Sequence, residues 1–105
     1  MSELRKVKFK IKEELAIEVA EKLGYEVERN KIIDSYATRH IKGDIVFKKR
    51  YIEFGIVDGE LIYDNMYSSN VADFVSEYMS AVLQRKGLNP IVQREKNKIH
   101  IYVNP

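Results

Sequence analysis

The sequence predicts an α+β domain: a two-layer sandwich whose mostly antiparallel sheet, of five to seven strands, carries two helices on one face. Three observations predict it. Between residues 44 and 64 apolar and polar residues alternate around two tight-turn signals, as in an antiparallel meander. On either side, at 13–23 and 71–86, apolar residues recur at helical spacing. At 105 residues, with no linker, repeat or low-complexity tract, the chain fits one domain spanning 1–105 in the order β-α-β-meander-α-β-β.

Residues 6–12 open the chain as a strand. Val7, Phe9 and Ile11 alternate with Lys6, Lys8, Lys10 and Lys12, so one side is apolar and the other a ladder of four ammonium groups. Such a ladder guards a sheet edge against pairing, and it also suits a phosphate backbone. The first helix follows at 13–23, with Leu15, Ala16, Val19, Ala20 and Leu23 on one stripe. Glu13 and Glu14 favour its N-terminus, and Gly24 stops it in the left-handed region. Tyr25 and Val27 then point inward from a short strand, and Asn30-Lys31 reads as a turn.

Residues 34–43 form a polar loop carrying Tyr36, Arg39 and His40. Binding residues concentrate on such loops, so these three are candidates. In the meander, Asp58-Gly59 is a strong hairpin signal, because a type I′ turn needs positive φ at both residues. It pairs Ile56 with Leu61 and Phe54 with Tyr63. Placing the earlier turn at Lys49-Arg50 pairs Phe47 with Ile52 and Ile45 with Phe54. Both turns direct the same apolar set inward. The opposite face holds Asp44, Val46, Lys48, Tyr51, Glu53, Ile62 and Asp64, and is expected to be polar and open to a partner. Glu53 across from Asp64 needs compensation, since like charges there are destabilising.

Met66 and Tyr67 read as an exposed connection, and Asn70 as the cap of the long helix. Val71, Phe74, Val75, Tyr78, Met79, Val82 and Leu83 face the core, with Ser76, Glu77 and Ser80 on the wet side. A last hairpin turns around Lys96-Asn97 and places Ile99, Ile101 and Val103 opposite His100 and Tyr102.

Composition narrows the chemistry. There is no Cys, which excludes disulfides, thiolate metal sites and Cys nucleophiles. No apolar run reaches the roughly 20 residues of a membrane span, and no signal-peptide core follows the N-terminus. A cytoplasmic protein with no membrane association is the expectation. Net charge is +2, yet every Lys and Arg lies outside 51–83, an interval that holds Glu53, Asp58, Glu60, Asp64, Asp73 and Glu77. Separated patches of both signs suit self-association or a charged protein partner. Phosphate-binding, dinucleotide, nucleophile-elbow and zinc-protease motifs are all absent.

Certain residues at the joints resemble the hypothetical chloroplast reading frame thirty-five family, small proteins of plastids and cyanobacteria with relatives elsewhere. They are Lys10-Ile11-Lys12 before the first helix, Leu23-Gly24-Tyr25-Glu26-Val27 after it and Tyr36 in the loop. Gly43-Asp44-Ile45-Val46, Gly55, Asp58-Gly59 with Asp64, Phe74 and Gly87 complete the set. The chain departs from that pattern at Ser35, in place of Gly, and in a shorter long helix that lacks a Gln-Arg-Tyr-Ala run. The resemblance implies a small soluble accessory protein, in some cases encoded near ATPases of the AAA type, with no assigned activity and no catalytic residues.

The functional expectation is a non-enzymatic binding or adaptor module, without cofactor, metal or catalytic residues, whose partner is a protein or a second copy. The alternative is nucleic-acid binding through Lys6, Lys8, Lys10 and Lys12, with Tyr51 or Tyr102 as stacking platforms. A third reading is a metal-dependent hydrolase built on Asp44, Glu53 and Asp64, carboxylates that could hold Mg²⁺ or act as an acid–base pair.

Overall fold

The meander forms as β3 (Lys42–Lys49), β4 (Ile52–Val57) and β5 (Glu60–Asp64) in a computed structural model that describes residues 2–7, 10–95 and 98–104. Asp58 and Gly59 take φ of 51° and 80°, as the type I′ turn requires, and pair Ile56 with Leu61. The other turn is Arg50-Tyr51 rather than Lys49-Arg50, with Arg50 at φ 57°. Phe47 therefore pairs with Phe54 and Ile45 with Ile56, two residues away from the expected partners. An even offset leaves every side chain on its expected face, because strand side chains alternate with period two.

Two more strands complete a five-stranded antiparallel sheet in the order β1-β5-β4-β3-β2. β2 (Glu26–Ile32) runs longer than expected and includes Asn30-Lys31, which the sequence suggested as a turn. Asn30 retains a positive φ of 52° within the strand. β1 is shorter, Leu4–Lys6, and fully exposed. Beyond it Val7 N–H bonds to Leu61 O of β5 (2.9 Å), and Ile11 N–H to Gly59 O of the turn before it (2.8 Å). Phe9 and Lys8 lie outside the described residues.

Both helices pack on one sheet face. α1 (Glu13–Lys22) buries Leu15, Ala16, Val19 and Ala20. It ends at Gly24, φ 88°, where Tyr25 N–H returns to Ala20 O and the Tyr25 ring meets Phe54 edge-on at 5.2 Å. α2 (Ser68–Arg85) buries Val71, Phe74 and Tyr78, and begins a turn before the expected cap at Asn70. A 3₁₀ turn, Asn65–Tyr67, precedes it, and Asp64 caps that turn. Tyr67 is buried, whereas the sequence suggested exposure. Phe74 closes on Phe47 and Phe54, with ring centroids 5.3 and 5.4 Å away. Tyr78 accepts a hydrogen bond from Lys12 N–H at 2.9 Å, which ties α2 to the start of α1.

β6 (Asn89–Glu95) and β7 (Lys98–Asn104) do not join this sheet; they form a separate two-stranded one, lodged against α2. Their turn at Lys96-Asn97 lies outside the described residues. Ser76, on the side of α2 away from Phe74, is buried rather than wet, and its hydroxyl has no partner among the described residues.

The largest departure concerns the opposite sheet face. It is not open. Residues 33–41 fold back across it as a strap, and Val46, Glu53 and Ile62 are buried beneath. Ile33 drops into the space left by two glycines: a Cβ at Gly55 would stand 2.6 Å from Ile45 O and 3.0 Å from Ile33 Cδ1, and one at Gly43 3.3 Å from Ile33 Cγ1. The alternation in the meander showed which side faces the helices, but Ile33 and Ile41 at the two ends of a polar segment gave little hint of a second cover.

Candidate binding surface

The strap closes on itself first. Ile33 N–H bonds to Ile41 O at 3.0 Å, and Ile41 N–H to Thr38 O at 2.8 Å. Thr38, fully buried, donates its hydroxyl to Ile33 O at 2.9 Å and meets the Ser35 hydroxyl as well. A polar loop can lie in the interior only when its backbone groups are answered in this way.

Two buried carboxylates then fasten it to the sheet. Glu53, 2% exposed, accepts from Asp34 N–H at 2.7 Å and from the Lys31 ammonium at 3.3 Å, with Lys48 Nζ at 3.8 Å. Asp64, 0% exposed, accepts from Ala37 N–H at 3.0 Å and from Met66 N–H at 3.1 Å. The compensation expected for this acidic pair therefore comes from backbone amides and Lys31. Desolvation is the largest single influence on the Lys31 ammonium and lowers its pKa, but the hydrogen bond and charge of Glu53, with those of Glu28, together outweigh it and raise the pKa. Asp44 takes a different role. It accepts from Asp58 N–H at 2.9 Å and locks the turn. The acidic trio thus serves three separate backbone sites, and no group of three or more His, Asp or Glu suited to a metal occurs among the described residues.

Asp64 also gathers a surface. The Ala37 and Met66 amides share its carboxylate, and Tyr67, next to Met66, donates its hydroxyl to Tyr51 O at 2.9 Å. This chain of short contacts collects Tyr36, Met66 and Tyr51 at one end of the sheet, beside Leu4, which pairs with Asp64. Three of their side chains are turned out strongly: Tyr36 is 74%, Tyr51 75% and Met66 59% exposed. Arg39 lies over the Tyr36 ring at 5.6 Å, and the Tyr51 and Tyr67 rings are 6.2 Å apart. Burial, then the negative charges of Asp64 and Asp34, hold the Tyr67 hydroxyl pKa above its ordinary value.

Among the sequence-based candidates, Tyr36, Arg39, Tyr51 and Asp64 come together here, with Glu53 beneath. His40 is exposed next to them. The lysines do not assemble. Lys6 sits in β1 opposite Ile62, Lys10 hydrogen-bonds Asp58 O at 2.9 Å at the far end of the meander, and Lys12 leads into α1. Lys8 lies outside the described residues. Tyr51 is at the sheet end opposite Lys10, and Tyr102 is on the separate hairpin, so among the described residues these lysines and rings lie apart. Lys31, Leu4 and the Tyr67–Tyr51 bond escaped the sequence reading, for each depends on long-range pairing; Met66 was marked as exposed and is.

A second concavity, a cleft of about 330 Å³ between α1 and α2, is lined by Leu15, Val19 and Ala81. Ion pairs of Lys22 with Glu77 (3.2 Å) and of Arg85 with Glu18 span it, so its rim is already occupied. No helix among the described residues is long and apolar enough to cross a membrane. No protein-family model, curated protein or solved structure matches the chain.

Proposed function

We propose that this protein is a non-enzymatic binding module whose contact surface is the tyrosine-rich end of the sheet, Tyr36, Tyr51 and Met66 with Leu4 and Arg39, and whose partner is another protein. One observation carries the reading: Tyr36, Tyr51 and Met66 stand exposed around a strap that two buried carboxylates anchor. Tyr and Arg dominate the energetics of protein contacts, and rigid aromatic side chains lose little entropy on docking. Pre-ordering the strap lowers the cost of association further. The resemblance to the chloroplast reading frame family, which implies an accessory protein, agrees with such a role but rests on the sequence segments alone. A cytoplasmic location belongs to the same proposal.

The test compares proteins retained from a source-cell extract by the wild type and by the Tyr36→Ala/Tyr51→Ala double variant. Both side chains are exposed, so the melting temperature should stay within a few degrees. Partners held by the wild type and lost by the variant are the expected result. An unchanged retained set would remove this surface from consideration.

A further inference from the structure

The β6–β7 hairpin carries more apolar surface than its position covers. Ile91, Tyr102 and Val103 are 47%, 51% and 41% exposed, although the two strands point them to both faces. A two-stranded sheet is marginal by itself and gains independent stability only with a third strand or a packed face. α2 supplies packing on one side, mostly to β6.

Strand edges elsewhere in the molecule are guarded. β2 presents Glu26, Glu28, Arg29 and Lys31 and is interrupted by the positive φ of Asn30; β1 is only three residues long; β6 contains Pro90. These are the usual devices against edge pairing. β7 has none of them from Ile99 to Val103, and no strand among the described residues pairs with its outer edge.

The sequence of β7 is also self-complementary. Around Ile101 it reads aromatic, aliphatic, polar in both directions: His100 and Tyr102, Ile99 and Val103, Lys98 and Asn104. His100 and Tyr102 already stack as neighbours on one face, centroids 6.2 Å apart. An antiparallel pair of β7 strands about a two-fold axis at Ile101 would set Ile101 on Ile101, His100 on Tyr102 and Ile99 on Val103. Each kind of side chain meets its own kind. Closed two-fold contacts of this isologous sort are the commonest way for chains to associate.

We propose that the protein forms a two-fold dimer in which the free edge of β7 pairs antiparallel with β7 of a second copy, centred on Ile101, to make a four-stranded sheet between chains. The inference stands apart from the tyrosine surface.

The chain lacks Cys, so Ile101→Cys introduces its sole thiol. Directly opposed residues in an antiparallel pair have Cα atoms about 4.5–5.5 Å apart, within disulfide range. Mild oxidation should convert this variant to a disulfide-linked dimer, while Glu14→Cys, on the exposed side of α1, stays a monomeric thiol. Light scattering of the wild type should give about twice the 12.3 kDa chain mass. Ile101→Lys should weaken dimerisation by about ten-fold or more, since like charges directly opposed repel. A wild type that remains monomeric, equal cross-linking of both Cys variants, or a dimer undiminished by Ile101→Lys would overturn the proposal. So would a dimer lost in Tyr36→Ala/Tyr51→Ala but kept in Ile101→Lys, which would move self-association to the tyrosine end.

Discussion

Glu53 and Asp64 are carboxylates used as anchors. Each sits inside the protein with backbone N–H groups as partners, and removing a buried partner costs more than the bond itself contributed, because the group left behind is desolvated and unpaired. Glu53→Ala and Asp64→Ala should each lower stability by about 1–3 kcal/mol in urea unfolding. The amides of Asp34 (for Glu53→Ala) and Ala37 (for Asp64→Ala) should exchange with solvent faster. Unchanged exchange at both would mean that the carboxylates do not hold the strap. Gly55 offers a second check at this scale. A Cβ there meets the Ile45 carbonyl oxygen, a backbone atom that cannot swing aside, so Gly55→Ala should cost about 1–3 kcal/mol. Trimming the neighbour with Ile33→Val should restore only part of that loss. If Gly55→Ala melts like the wild type, the close fit of strap on sheet is not real.

Among the elements, those written in local chemistry were legible and those assembled at long range were not. Asp58-Gly59 specifies its turn within two residues, and the alternation beside it assigned Ile56, Leu61 and Phe54 to the core correctly. Arg50-Tyr51 has no such preference, so that turn was misplaced by one residue, harmlessly for the faces. Gly24 and the apolar stripes marked both helices. The strap could not be read in the same manner: Ile33 is its one buried apolar residue, and its partners Glu53 and Asp64 lie 19 and 27 positions from the amides that they bind. The conflict between those two carboxylates was visible in sequence, and it pointed to a missing partner. What it could not reveal was that main-chain amides share that role with Lys31. Of the proposed surface, Tyr36, Arg39 and Tyr51 were found as separate candidates, and only the fold around Asp64 brings them together.

For the molecule as a whole, three groups among the described residues bind protons more tightly when folded. Burial raises the pKa of Tyr25 and, with nearby carboxylates, that of Tyr67, both from an ordinary value of 10.0, while Glu53 and Glu28 raise Lys31 from 10.5. A raised folded pKa means that the stabilisation is complete below the unfolded value and is lost as pH climbs through the folded one. These groups should therefore leave stability flat between about pH 7 and 9 and erode it above about pH 10. Thermal melts across that range provide the measurement. Tyr67→Phe should melt lower at neutral pH by about 0.5–1.5 kcal/mol of lost hydrogen bonding and show a shallower alkaline decline. An equally steep decline in that variant would assign the effect to other groups.

α2 starts beside the Asp64-capped turn, at the tyrosine end, and its last turn leads into the hairpin. Its 18 residues make a strut of about 27 Å in a molecule 44 Å long. Whatever docks at one extremity is thus kept well clear of whatever docks at the other. Two copies joined through β7 would present their tyrosines at remote tips, a bivalent clamp that gains avidity from a target displaying its epitope twice at matching separation, and gains nothing from a target displaying it once.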